Sequence, residues 1–323
     1  MPNEYALINE YSPKRIRATL MMLVGGCFPL GGALGGLLAA KLIPSMGWAA
    51  AFVACGIITL AYVPVILFAL PESIRGLALK GGQEEKIRRL LKRVNSRLVF
   101  DDNAKFVIRE EKPSGFPVRQ LFLERRTLTT LCLWIMLFTN MLAMFLLTNW
   151  LPTVINNAGF SVEKAVMATS ILQFGGVVGT IFVPILSDRF RPASVLTVVF
   201  LAEAIFIAGI SGSGTIFFLI VAFAFCTGFC LNGGQLGCNI LASMSYPTVI
   251  RSTGVGWALG VGRLGAVAGP VIGGILLSLS WPMQSVILAG AVAPLVGAIA
   301  AFGISRRTRE PAGDQPAVQP VLV

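Results

Sequence analysis

Residues Tyr246–Pro270 read YPTVIRSTGVGWALGVGRLGAVAGP, and Ser12–Gly36 read SPKRIRATLMMLVGGCFPLGGALGG. At a fixed offset of 234, Pro13 meets Pro247, Arg17 meets Arg251 and Thr19 meets Thr253. Gly26 then meets Gly260, Leu30 meets Leu264, Gly31 meets Gly265 and Gly35 meets Gly269. In each copy a second apolar run follows a tryptophan, Trp48 or Trp281. The unit is a Pro-x-x-x-Arg-x-Thr loop, a glycine-rich apolar helix and one more helix. A period this long points to a chain built from two related halves.

The rest of the chain is of the same kind. Hydrophobic residues make up 55% of the 323 positions and charged residues 13%, about half the share of a soluble domain. The mean hydropathy is +0.78. Eight runs are long enough to cross a bilayer, which takes roughly 20 apolar residues: 18–43, 47–70, 128–152, 163–186, 194–211, 215–243, 252–279 and 282–304. They are too long and too uniformly apolar for barrel strands. Met1–Arg17 has no apolar core of a signal peptide. The fold class is all-α, a polytopic membrane helix bundle.

Charge gives the orientation. With Met1–Arg17 in the cytoplasm, Lys14, Arg15, Arg17, the fourteen Lys/Arg of Arg75–Arg126, and Arg189, Arg191, Arg251, Arg306, Arg307 and Arg309 all fall on that side. Only Lys41 and Lys164 fall opposite, and Arg263 lies within a helix. This is the positive-inside pattern, and it accounts for the net charge of +11 without nucleic acid. Both termini are expected in the cytoplasm. Both copies of the repeat then start from the same side, as in transporter halves related by an axis along the membrane normal.

Within the second half four runs precede its copy of the repeat, and in the first half none does. The pseudo-symmetry therefore expects four further helices before residue 1. The chain divides into 1–70, the two-helix end of a first half; 71–127, a cytoplasmic loop; 128–304, a six-helix second half; and 305–323, a tail. Within the loop, EEKIRRLLKRVNSRL (Glu84–Leu98) puts Ile87, Leu90, Leu91, Val94 and Leu98 on one helical face. It reads as a helix lying at the lipid headgroups or against the bundle.

There is no histidine, which removes the commonest metal ligand and catalytic base. The six cysteines sit in apolar runs with no Cys-x-x-Cys pair and read as small buried hydrophobes. The Gly-x-Gly-x-x-Gly at Gly260–Gly265 lies inside a membrane run and not after a strand, so it is not a nucleotide loop. No cofactor, metal or enzyme is expected.

Arg263 stands about halfway along its run. Placing an arginine there costs roughly 2.5–3.5 kcal/mol on insertion scales, so it must face a cavity or a partner. It reads either as an anchor for a substrate carboxylate, which a guanidinium holds bidentately, or as a structural ion pair or backbone contact. Asn232, Gln235 and Asn239 follow at i, i+3 and i+7 on one face. Asn140 and Gln173 are also mid-helix. Carboxamides bind a ring hydroxyl or carboxylate, or tie helices together. Glu203 is the carboxylate deepest in an apolar run, a candidate for handling a proton, against ion pairing or water access. The rows Gly31/Gly35, Gly32/Gly36, Gly175/Gly179 and Gly265/Gly269/Gly273 are small-residue faces for close helix contact.

Several stretches carry a family resemblance: EYSPKRIRATL, LGGALGGLLAAKLIPSMGW, LPESIRGL, NWLPTVINNAGFS, SDRFRP and RSTGVGWALGVGRLGAVAGPVIGG. Across nearly all of 4–310 the chain resembles the major facilitator superfamily. Within it, the match is to the aromatic acid:proton symporters, the permeases for benzoate and hydroxybenzoates, over helices five to twelve of twelve. The PILSDRF run is similar to the superfamily's Gly-x-Leu-x-Asp-Arg-x-Gly-Arg loop, with Pro184 and Arg191 in place of its glycines. Ala193 stands where family members often have a histidine.

The resemblance implies a carrier of small aromatic carboxylates with a proton, working by alternating access in a bacterial inner membrane. Arg263 and the carboxamides would hold the substrate. It also implies a cytoplasmic charge latch of Asp188, Arg189 and Arg251, with Glu10 and Arg17 in the first-half equivalent. The acidic residues that the family usually carries on helix one lie outside this chain. The alternatives are a truncated or mis-started, non-transporting membrane protein that self-associates or takes a partner over the missing helices, or a facilitator for another small organic anion or a sugar.

Overall fold

A computed structural model describes residues 7, 11–12, 17–69, 72–74, 77, 83–94, 117–123, 126–214, 216–246 and 248–307. Its long helices are α1 (Arg17–Met46), α2 (Trp48–Ala69), α5 (Thr127–Asn157), α6 (Val162–Arg189), α7 (Pro192–Gly212), α8 (Phe217–Ser245) and α9 (Thr248–Ser278). The last span is two pieces, α10 (Met283–Gly290) and α11 (Val292–Arg307). Between α2 and α5 lie α3 (Glu84–Val94) and the short α4 (Pro117–Gln120). Eight spans are long and apolar enough to cross a membrane, and they match the eight runs read from the sequence. The protein is an integral membrane helix bundle.

Local sequence explains the ends. Ser161 caps α6 by accepting from the Lys164 amide at 3.3 Å, with Glu163 in the first turn and Arg189 in the last, as the helix dipole favours. Pro192 opens α7, where a missing amide hydrogen costs nothing. The two copies of the repeat turn alike. Gly47, with φ of 80°, links α1 to α2, and Ser280, with φ of 60°, follows α9. Serine in this left-handed region is strained where glycine is not. The last span was expected to be continuous over 282–304. It breaks at Ala291 because Pro294 has no amide hydrogen to return to the Gly290 carbonyl.

Helices in a bilayer gain little from hiding apolar surface, so close van der Waals contact drives their packing. Here it is close enough to need glycine. A Cβ on Gly228 would lie 1.7 Å from the Leu172 carbonyl oxygen, and one on Gly179 would lie 2.0 Å from that of Phe229. These contacts run α6 and α8 side by side in the same direction. The α5–α9 pair is built likewise: a Cβ on Gly265 would lie 2.1 Å from the Phe138 oxygen, and one on Gly269 would lie 2.5 Å from that of Leu142. Trp150 then fills the space over Gly273 and donates from Nε1 to the Pro270 carbonyl at 3.1 Å.

The remaining helices cover these two pairs. α7 packs against α8, α10 and α11. α1 crosses α6 in the opposite direction, with Gly26, Gly32 and Gly36 over Thr180, Gln173 and Ser170. Two apolar clusters fill the ends of the six-helix half. One is centred on Leu147, Leu151, Ile207 and Ile287, the other on Leu133, Phe200, Tyr246 and Ile304.

Three expectations change in detail. Gly31 and Gly35 have nothing within 4 Å of a Cβ, so that row is unused among the described residues. Cys27 and Cys55 are exposed, whereas Cys132, Cys230 and Cys238 are buried as read. The amphipathic helix is seen from Glu84 to Val94, with Ile87 buried, and Leu98 lies outside the described residues.

Candidate functional site

The contacts place most of the candidate polar residues at one level of the bundle. Asn140 of α5 is fully buried and donates from Nδ2 to the Leu231 carbonyl of α8 at 3.2 Å. The next residue, Asn232, is buried against Gly176 of α6 and turns its Nδ2 back to the Gly228 carbonyl at 3.4 Å. Gln173 is one turn before Gly176 and lies against Gly32 of α1. Gly262, beside Arg263, touches Leu137 and Met141 of α5, on either side of Asn140 in sequence. Arg263, Asn140, Asn232 and Gln173 therefore share a depth, drawn from four helices.

Unused acceptors lie in this layer and one to two turns beyond it on α8. Oδ1 of Asn140, Oε1 of Gln173, Oε1 of Gln235 and Oδ1 of Asn239 are buried without a hydrogen-bond partner among the described residues. Arg263 is exposed, on the side of α9 away from α5, and makes no hydrogen bond or ion pair among those residues. Its face continues through Gly256 and Gly260, with nothing within 4 Å of either Cβ position. A layer with one unpaired guanidinium and several carboxamides can hold a small planar anion and its hydroxyls.

Glu203 is not part of this layer's open side. It is fully buried on α7, and neither carboxyl oxygen has a partner among the described residues. Cys230 and Cys238, which pack on the α7 residues one to two turns before Glu203, lie on the other side of α8 from Asn232. The ion pair or water access read as its plain alternatives is not seen among the described residues.

Among the described residues, the charges read as a latch do not pair with one another. Asp188, Arg189 and Arg251 are exposed and form no ion pair among the described residues. Arg251 donates from Nε to the Tyr246 carbonyl at 3.3 Å. Arg17 begins α1, with its side chain outside the described residues, as is Glu10. No group of three His, Cys, Asp or Glu suited to a metal occurs among the described residues.

Sequence reasoning missed Tyr246. Its ring lies 2.5 Å from where a Cβ on Gly254 would sit, and its hydroxyl donates to Thr130 Oγ1 at 3.2 Å. Thr130 in turn donates to the Leu121 carbonyl at 2.9 Å. One aromatic residue thus ties α5, α8 and α9 to the loop after α4. The signal was its place at the head of the repeated loop, opposite Ser12.

A family model described as Major Facilitator Superfamily matches residues 1–216 and 167–322. The chain is 37% identical over 280 residues to a gallate transporter of Pseudomonas putida, covering 86% of this chain and 62% of that protein. It is 35% identical over 306 residues to a 4-hydroxybenzoate transporter of Acinetobacter baylyi, covering 94% and 67%. A benzoate transport protein of Acinetobacter baylyi is 30% identical over 311 residues, covering 95% and 66%. The chain thus spans about two thirds of the length of these relatives, and they bear out the resemblance to the aromatic acid permeases. Among solved structures, the proton:xylose symporter XylE superposes with a TM-score of 0.61 at 17% identity, covering 94% of this chain and 66% of that one. At that identity the likeness shows the fold alone.

Proposed function

We propose that this chain, which belongs to the Major Facilitator Superfamily, forms the larger part of a secondary carrier that moves a small aromatic carboxylate across the membrane together with a proton. The observation that carries the reading is Arg263. It is unpaired among the described residues, lies on the open face of α9, and shares its depth with Asn140, Asn232 and Gln173. A guanidinium at mid-membrane is too costly to keep without a partner, and a carboxylate supplies one. Asn232 and Gln173, with Gln235 and Asn239, take the ring hydroxyls, and Asn140 backs them through its bond to the Leu231 carbonyl. The named relatives support the aromatic class.

Substrate sits between two halves that open alternately, as expected of such repeats. Here α5–α11 supply one half and α1 and α2 part of the other. Four more helices, from a longer chain or a partner, complete the cavity. Asp188, Arg189 and Arg251 stay at the cytoplasmic helix ends as the closing charges, with Glu10 and Arg17 as their first-half counterparts, and Glu203 takes the proton. The setting is a bacterial inner membrane with both termini in the cytoplasm.

The test is uptake of a labelled aromatic acid by cells or vesicles carrying the native, complete carrier. Arg263→Gln is expected to raise KM or abolish uptake, with Arg263→Lys recovering only part because it loses the bidentate fork. Uptake at unchanged KM in Arg263→Gln sinks the anchor. The exposed apolar faces of α1 and α2, such as Phe52, Leu67 and Phe68, favour a second reading, a membrane protein that does not transport alone. The size and N-terminal peptide of the native product decide between them. A product longer by roughly 120–150 residues, four spans with their loops, supports the carrier, and one starting at Met1 supports the second reading.

A further inference from the structure

The least explained polar groups in the second half lie behind α8, on the side away from Gln235 and Asn239. Asn140 and Glu203 are both fully buried, and Asn140 Oδ1 and both Glu203 oxygens are unpartnered among the described residues. Gly234 lies between their helices. A Cβ there would stand 3.4 Å from Asn140 Nδ2, 3.5 Å from Val199 Cγ1 and 3.9 Å from Phe200 Cε1. These are ordinary contact distances, unlike the collisions at Gly228 or Gly265. The glycine therefore leaves a gap about one heavy atom wide, edged by an amide and by the α7 turn that precedes Glu203.

The surroundings add two features. Ala204 and Ile207, on the turn of α7 that follows, pack with Ile287, Ala291 and Ala293 around the break in the last span. There Pro294 leaves the Gly290 carbonyl without its helical donor. Thr227, one turn before Leu231, is also fully buried with its hydroxyl unpartnered among the described residues. The titratable groups that face Glu203 are Cys230 and Cys238 of α8. Neither Glu203 oxygen meets a charged side chain at bonding distance among the described residues.

We propose that Asn140, Gly234 and Glu203 form a closed water- and proton-binding site in the second half, with Asn140 and the α8 backbone as the boundary between it and the substrate layer. Buried polar groups of this number ordinarily hold a water that makes two to four hydrogen bonds. The water bridges Asn140 Oδ1 to the Glu203 carboxyl and serves as its exchange partner. In the step itself a carboxylate oxygen takes one proton from hydronium and leaves water, and the reverse step returns it. Asn140 holds the Leu231 carbonyl of the same boundary, so a change at Glu203 is felt by the α8 backbone beside Asn232. The assignment of this proton to transport rests on the carrier reading above, but the site does not.

Infrared spectroscopy of the purified 323-residue chain in lipid nanodiscs tests it. In alkaline buffer the exposed carboxylates are ionised, and a protonated-carboxyl stretch is expected that Glu203→Gln removes. In deuterated buffer that band is expected to shift within the experiment. Gly234→Ala, which fits sterically, should expel the water and slow the shift tenfold or more. A band absent from the wild-type chain, one that never exchanges, or one that exchanges at the same rate in Gly234→Ala overturns the site. Should Glu203→Gln not fold, glutamate labelled with carbon-13 assigns the band in the unaltered chain. Loss of uptake in Arg263→Gln alters none of these readings, so the two ideas fail separately.

Discussion

The two copies of the repeat share residues at matched positions and keep different company. In the second copy, Gly265 and Gly269 lie against the Phe138 and Leu142 carbonyls of α5. Their counterparts Gly31 and Gly35 face nothing among the described residues. The second copy's last span is half buried over its most apolar window, whereas 6% of the corresponding window in α2 is buried. The same pattern thus encodes a surface suited to a close neighbour, and the neighbour decides whether it is used.

This difference can be broken by mutation, most forcefully at the glycines. Gly265→Leu is expected to abolish recovery of folded, monodisperse protein, since a Cβ there would already lie 2.1 Å from the Phe138 carbonyl oxygen and a backbone obstacle cannot move aside by changing rotamer. Gly31→Leu in the same chain should leave recovery unchanged. In a complete carrier Gly31→Leu should become as damaging as Gly265→Leu, and equal tolerance there would mean that the two copies are not packed alike. Size-exclusion profiles of the four proteins decide it.

A smaller effect is expected at the loops that open the copies. Tyr246→Ala leaves a large cavity and should lower the apparent melting temperature strongly, by about 3–5 kcal/mol in stability if aromatic truncations are the guide. Tyr246→Phe removes only the bond to Thr130 and should cost about 1 kcal/mol. Ser12→Ala, at the equivalent position, removes a far smaller side chain and is expected to cost less than Tyr246→Ala. The smallest effect belongs to the turns. Ser280→Gly relieves a left-handed serine and should stabilise by about 1 kcal/mol at most. Gly47→Ser should do the reverse, and a thermal-shift series on both variants checks the sign.

How much of this the sequence revealed follows from what each feature depends on. The spans were legible because length and apolarity act locally, and a bilayer demands both. The break at Ala291 was not, because Pro294 sits in an apolar run that reads as continuous. The glycine rows announced close contact but not with whom, since helix pairing is set by distant segments. Arg263 stood out because a charge in such a run needs a reason. The orientation of Glu203 was hidden. Its helix is apolar on every side, so no periodicity says which face meets α8 and which meets lipid. Tyr246 was hidden for a related reason, as an aromatic at a helix end is ordinary for an interface.

The kinds of contact between the helices also set their stiffness. Where backbone meets backbone, as between α6 and α8 or α5 and α9, neither side has a rotamer to change, and each pair behaves as one plank. Where α1 meets α6, the contact passes through Gln173, Ser170 and Thr180, whose side chains can rearrange. Slip therefore belongs to the α1–α6 seam. Spectroscopic labels placed across it will report displacement, whereas labels within a plank will keep their spacing.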